Sequence, residues 1–403
     1  MKKITTLSLL TSSILLAGGY KIPEQSLNSM ALSAAYLAHT KGADTAYYNP
    51  ANMAFMEDRQ FAEAGVTLAH LPRIEFEGDV AGTSGQSEIE NILIPNLHYV
   101  GNAMGDVRWG ASLTAPAGLT KRWNTPLQKL YAEEFTLKVI EFNPVASYRV
   151  SDNFAVGGGL RFIYSEGVVN SDGGAIKPIK REMVGDTIEF GYNLALTYKP
   201  TPDMNMAVAY RSNIDLKEEG TANLYLFDVG NQYQANVTVP LPAVLNVGVS
   251  QSWEDTYTLE LVYERSFWSS YKTLDFNYDR EIQSALVGAY ADPKIRNWKD
   301  TDTFRLGATA KVTDSVTLMA GIAQDKTPVP SDYVGYELPD SDAMLYSLGV
   351  RMKATENLSY GVAYLHDEKD NRTIAQGASE SLINGTFSQG GADLLTVAMA
   401  YTF

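Results

Sequence analysis

Residues Gly19–Met56 read GYKIPEQSLNSMALSAAYLAHTKGADTAYYNPANMAFM. The stretch is built mostly from small side chains and carries no strict alternation of apolar and polar positions. Successive side chains of a strand point to opposite faces, so a strand buried on one side must alternate. This stretch does not, whereas the chain that follows reads as β-structure. The expectation is a plug over residues 20–56, seated inside a closed barrel formed by residues 57–403.

Upstream, Met1–Gly19 has the layout of a secretory signal. Lys2 and Lys3 supply the charge, Leu7–Leu16 the apolar run, and Ala17-Gly18-Gly19 the small residues of a cleavage site. Cleavage after Gly19 removes two lysines and takes the net charge of the 403-residue chain from -15 to -17. An acidic exported chain is poorly suited to nucleic acid. With no cysteine it has no disulfide framework, so stability must come from a large closed structure. No apolar run after the N-terminus is long enough for a helical membrane span, which takes about 18 residues or more.

The mature region instead shows alternating runs of roughly ten residues, the length of a tilted membrane strand. In Ile188–Tyr198, Ile188, Phe190, Tyr192, Leu194, Leu196 and Tyr198 share one face. Glu189, Gly191, Asn193, Ala195 and Thr197 share the other. Phe154–Tyr164, Phe304–Val312 and Tyr346–Met352 repeat the pattern and place Arg161, Arg305, Lys311 and Arg351 on the small or polar face. In a soluble sandwich the apolar face is core; in an outer-membrane barrel it meets lipid and the polar face lines the lumen. Alternation alone leaves both readings open.

The connections favour the barrel. Short polar turns fall near Gly101–Arg108, Val150–Asn153, Pro200–Asn205, Glu254–Thr256, Thr313–Ser315 and Thr355–Asn357. Longer segments lie near 78–90, 119–134, 165–186, 213–232, 267–297, 326–343 and 367–390. Short turns at one end and long loops at the other mark a bacterial transmembrane barrel. Six turns joining twelve strands, plus a first and a last, predict an all-β, fourteen-stranded antiparallel barrel that crosses the membrane many times. Closure removes edge strands that would invite aggregation. The C-terminus agrees: Leu395, Val397, Met399, Tyr401 and Phe403 share one face, with two aromatics at the end for an interfacial girdle.

Ordered blocks along nearly the whole chain resemble the FadL-type outer-membrane transporters. They are Gly18-Gly19-Tyr20…Glu24, Ala34-Ala35-Tyr36, Asn49-Pro50-Ala51, Ile94–Val100, Trp109–Thr114 and Asn143–Arg149, then Tyr263…Trp268-Ser269, Trp298-Lys299-Asp300, Pro328-Val329-Pro330 and Leu338–Asp342. The resemblance implies a fourteen-stranded barrel with an N-terminal hatch in the outer membrane of a Gram-negative cell. It implies uptake of long-chain fatty acids or other hydrophobic compounds, alkanes and monoaromatic hydrocarbons included. Expected partners are such small molecules and outer-membrane lipid, with the chain a monomer.

The implied path has three stations. Loop residues Trp123, Leu127, Leu130 and Tyr131, with Phe135, carry apolar side chains, and TPLQKLYAEE suits a short amphipathic helix. They form either a docking groove or part of the rim girdle. Tyr20 and Ile22 of the hatch are expected to touch the ligand tail. Lys294 falls where the resemblance places a lumenal lysine for a carboxylate head, and is otherwise a solvated loop lysine. Ser165–Ser171 holds no arginine for a second head-group contact, which leaves room for a neutral hydrocarbon. Ala115-Pro116-Ala117-Gly118 ends the third strand or kinks it, since proline cannot donate to the ladder and glycine marks bends. The resemblance implies a kink through which solute leaves sideways. Asn49-Pro50-Ala51 closes the hatch, as a moving gate or a static anchor.

Other classes find less support. His39, His70, His98 and His366 belong to no nucleophile signature, so no enzyme is expected. Gly157-Gly158-Gly159 sits within a strand with no helix after it and is no dinucleotide loop. Asp340 and Asp342 read as a solvated turn, so neither metal nor other cofactor is expected. A general porin or an adhesin would leave the hatch without a purpose.

Overall fold

The structure is a computed structural model that describes residues 18–375 and 383–403. Nearly all of the expected leader, and part of the last long loop, lie outside the described residues. Fourteen antiparallel strands form one closed barrel. In chain order the first six are Phe61–Leu71, Glu90–Val100, the pair Val107–Thr114 and Gly118–Arg122, Glu134–Ser151, Phe154–Asp172 and Ile179–Thr201. The seventh comprises Met204–Arg211 and Ile214–Leu226, and the eighth Val229–Leu241 and Val244–Trp253. The last six are Tyr257–Ser266, Thr301–Lys311, Val316–Asp325, Ala343–Lys353, Leu358–Lys369 and Gly391–Thr402. The first and last strands close the ring, from Phe61↔Thr402 to His70↔Asp393. All six short turns fall where the sequence puts them.

Two long segments differ from expectation. Residues 165–186 and 213–232 are mostly strand, turning only around 173–178 and 227–228. The fourth strand, paired with the fifth as far as Glu134↔Asn170, and the fifth to eighth strands therefore rise beyond the others. Along this extension the polarity of the strands inverts. In the eighth strand Tyr233, Ala235, Val237 and Val239 are buried, while Gln232, Gln234, Asn236 and Thr238 are exposed. Outward polar side chains place this region in water. Lower down, the apolar face is the exposed one: Ile188 is 65% and Leu348 66% exposed. A continuous apolar surface of that kind needs lipid around it. This decides between sandwich and barrel, because in a sandwich the apolar face would be the buried one.

Inside the belt lies the N-terminal segment, with short helices at Leu27–Ala31 and Thr45–Tyr48 and a 3₁₀ helix at Pro50–Phe55. Most of its residues are buried. Inward glycines make the room. A Cβ on Gly321 would come within 2.1 Å of the Leu32 backbone, and one on Gly157 within 2.6 Å of the Ala51 nitrogen. Inward charges hold the segment: Arg305 donates to the Ser33 carbonyl at 3.1 Å, and the backbone N–H groups of Leu37 and Ala38 donate to Glu260 at 2.6 and 2.5 Å. Arg351 donates to Asn28 at 3.1 Å and to Glu63 at 2.9 Å. Arg161 also faces inward and is buried, while Lys311 reaches the exposed rim.

Candidate transport site

The third strand decides the site's position. Its ladder stops at Thr114 and resumes at Gly118, and only its lower piece pairs with the second strand, from Leu97↔Leu113 to Val100↔Gly110. Pro116 has no N–H to donate, and the backbone groups around it find partners in the N-terminal segment instead. The Ile22 N–H donates to the Pro116 carbonyl and the Gly118 N–H to the Tyr20 carbonyl, both at 2.8 Å. Gln25 acts as a substitute peptide: its Nε2 donates to the Ala115 carbonyl at 2.8 Å and its Oε1 accepts from the Ala115 N–H at 2.9 Å. His98 in turn reaches the Gln25 carbonyl at 2.9 Å and the Ser112 hydroxyl at 2.9 Å. The sequence offered no sign of Gln25's part, because its spacing to Ala115 exists only in the folded barrel.

Two cavities meet at Tyr20. The outer one lies within the extension, and its lining includes Leu119, Phe135, Phe276, Trp298 and Leu338. The inner one is bounded by Ile22, Tyr47, Tyr48, Trp268 and the strand break at Pro116 and Ala117. Tyr20 lines both. Its ring stands edge-on to Trp268 at 4.8 Å and tilted to Trp298 at 5.7 Å, and its hydroxyl donates to the Pro240 carbonyl. The indole nitrogens of Trp268 and Trp298 are buried without hydrogen-bond partners. Lys21 next door pairs with Glu264, to which Arg305 also reaches at 3.5 Å.

The remaining candidates divide. Pro126–Ala132 forms the expected helix, with Leu127 and Leu130 half-buried and Tyr131 exposed. Trp123 is buried beneath it, donating to the Tyr336 carbonyl at 2.8 Å. Lys294 is half-exposed and donates to the Gly288 carbonyl at 3.1 Å. The cation that lines the outer cavity is Arg296, two residues on, paired with Glu337 at 2.5 Å. Alternation along the two-residue strand at 294–295 is too short to reveal which side chain turns inward. Asn49 caps the Pro50–Phe55 turn: its Oδ1 accepts from the Ala51 N–H at 3.2 Å, and its Nδ2 donates to Leu37 and Thr197. Asp340 is buried rather than solvated, held by Lys369, Thr327 and the Gly19 N–H.

Within the N-terminal segment, burial pushes the Glu24 carboxyl up to about 7 against the opposing pull of Arg305. Asp44 is raised by burial too, despite hydrogen bonds from Ser26 and Asn28. Burial lowers His39 to about 3, which keeps it neutral.

Comparison with known proteins gives a consistent picture. The family model described as outer membrane protein transport protein (OMPP1/FadL/TodX) matches residues 8–403. The long-chain fatty acid transport protein of Escherichia coli O6:H1 is 24% identical over 440 residues, covering 96% of this chain and 95% of that one. Outer membrane protein P1 of Haemophilus influenzae is 23% identical over 475 residues, covering all of both. Among solved structures, a Pseudomonas aeruginosa FadL homologue superposes with a TM-score of 0.81 at 20% identity, over 96% of this chain and 99% of its own. The Pseudomonas putida toluene transporter TodX gives 0.72 at 15%, over 97% and 99%.

Proposed function

Because the chain belongs to the outer membrane protein transport protein family (OMPP1/FadL/TodX) and resides in the outer membrane, we propose that it takes up hydrophobic solutes, long-chain fatty acids among them, by handing them from cavity to cavity. The relatives named for long-chain fatty acids and the fold shared with a toluene transporter support this range. Solute docks on the apolar side chains of Leu127, Leu130 and Tyr131, with Trp123 propping the helix from beneath. It enters the outer cavity, passes Tyr20 and Ile22 into the inner one, and leaves through the broken third strand at Ala115–Gly118 into lipid. Residues 20–56 act as the plug, and Asn49-Pro50-Ala51 anchor its far end. Binding at each station must be favourable enough to enter and weak enough to leave.

The observation that carries this reading is the double role of residues 20–25. Tyr20 stands between the two cavities and Lys21–Pro23 line the inner one, while Tyr20, Ile22 and Gln25 fill the hydrogen-bonding gap of the broken strand. Displacing them joins the cavities and opens the wall in one movement. Transport rather than catalysis also suits the histidines: His98 spends both ring nitrogens on structural bonds, and His366 pairs with Asp393 on the exposed face. The monomer is complete, since the barrel closes on itself. The test is uptake of oleate, hexadecane and toluene by a strain lacking its own transporter and expressing this chain. Uptake of at least one above the empty-vector level is expected; none for any of the three sinks the proposal.

A second reading, uptake of neutral hydrocarbon, is favoured by the Arg296–Glu337 pair. Among the described residues the one cation lining the outer cavity is already paired, which removes the obvious partner of an acid head.

A further inference from the structure

On the upper piece of the seventh strand, Ile214, Leu216, Glu218, Ala222 and Leu224 face inward. Glu218 is the one charged member of that row. It is 2% exposed, and neither carboxylate oxygen has a hydrogen-bond partner. It lines the outer cavity among Leu137, Val169, Val237, Val239 and Phe276. Gly167 across from it supplies the space: a Cβ there would lie 3.6 Å from Glu218 Cγ. The hydroxyl of Ser165, on the same neighbouring strand, faces the Glu218 carboxyl but lies outside close hydrogen-bond geometry with it.

No cation is available to it. Arg296 is taken by Glu337. Arg181, the other buried cation at this level, lies over the rings of Phe276 and Tyr290 at 4.3 and 5.1 Å. A buried acid without a partner costs free energy in either protonation state until something bonds to it. A carboxylate ligand would bring a second negative charge into the same apolar space, where repulsion is poorly screened. A hydroxyl suits both states, since it can donate to a carboxylate or accept from a carboxyl.

We propose that Glu218 sets the head-group preference of the outer cavity, favouring uncharged long-chain alcohols and turning away fatty-acid anions. This rests on the transport reading above and narrows its substrate class. The experiment is tryptophan-fluorescence titration of the mature full chain, folded in nanodiscs, with hexadecanol and with palmitate at mildly alkaline pH; Trp298 reports from the cavity wall. Hexadecanol should bind about tenfold more tightly than palmitate, and Glu218→Gln should tighten palmitate by about tenfold while leaving hexadecanol within about twofold. Glu218→Leu should weaken hexadecanol by about tenfold, with heat-modifiable gel mobility confirming that each variant is folded. Tighter palmitate than hexadecanol in the unaltered chain, or equal shifts of both ligands in Glu218→Gln, overturns the proposal. Uptake of any of the test solutes by cells with an unchanged ratio in Glu218→Gln would leave transport standing and remove Glu218's part. The expected binding pattern without uptake would do the reverse.

Discussion

The barrel has two storeys that obey opposite rules. In the membrane belt, apolar side chains point out and small or polar ones point in, against the N-terminal segment. In the extension formed by the fourth to eighth strands, apolar side chains point in and polar ones out, around the outer cavity. In the seventh strand the apolar residues keep to even positions, Met206, Val208 and Tyr210 outward and then Ile214 and Leu216 inward. The backbone breaks at Ser212-Asn213 and, in the eighth strand, Pro242-Ala243 turn an unbroken alternation from one face to the other. The difference teaches that the protein meets two solvents on its outside, and that its greasy interior begins where the lipid ends.

That contrast sets the order of effects. Leu348→Arg puts a charge on the lipid face near mid-strand and should cost about 2–4 kcal/mol of folding stability, read from urea titration into vesicles. Thr238→Arg, on the outward face of the extension, should stay within about 0.5 kcal/mol in the same titration. Similar costs at both positions would mean the two storeys share one solvent. Filling the room beside the N-terminal segment comes next. Gly321→Val drives a side chain into the Leu32 backbone, should cost about 1–3 kcal/mol, and, if that segment is the proposed plug, should raise planar-bilayer conductance by displacing it. Unchanged conductance and stability would mean the segment is not fitted to that wall. Gln25→Ala strands both backbone groups of Ala115 and should cost about 1–2 kcal/mol, visible as faster hydrogen exchange around Ala115.

The smallest effect is one of pH. Docked, Glu24 holds its proton up to about 7, whereas in water a glutamate loses it near 4.5. Between these values the docked form binds more protons, so docking is favoured below the window and weakens as pH rises through it. Asp44 acts in the same direction, and His39 is neutral throughout. The protection of amides over residues 20–30, taken relative to the base-catalysed intrinsic exchange rate, should therefore fall from the acid to the alkaline side of that range. Protection that rises toward the alkaline side would contradict the assignment.

Much of this was legible in the chain itself. Period-two alternation exposed the belt strands, and polar turns such as Val150–Asn153 fixed their number, because both are local properties. Residues 165–186 and 213–232 misled because strand in water, wrapped around a cavity, lacks the lipid-facing run that marks a membrane strand. The row Met206, Val208, Tyr210, Ile214, Leu216 runs on in one phase through the break at Ser212-Asn213, so the change of face it undergoes there is not written in the alternation. Tyr20 was singled out only through the family resemblance, since nothing local in the sequence marks its place between the two cavities. Gln25, Arg296 and the inward glycines act through contacts across the barrel, and no local pattern encodes those.

The most direct measurement uses the absence of native cysteine. Lys21 and Ala117 are antiparallel bridge partners, a placement suited to a disulfide. In the variant Lys21→Cys with Ala117→Cys, oxidation should fasten the N-terminal segment to the broken strand. Solute uptake should then fall by about tenfold while binding in the outer cavity persists, and a reductant should restore it. Uptake that is equal in the oxidised and reduced forms would contradict exit past residues 20–25.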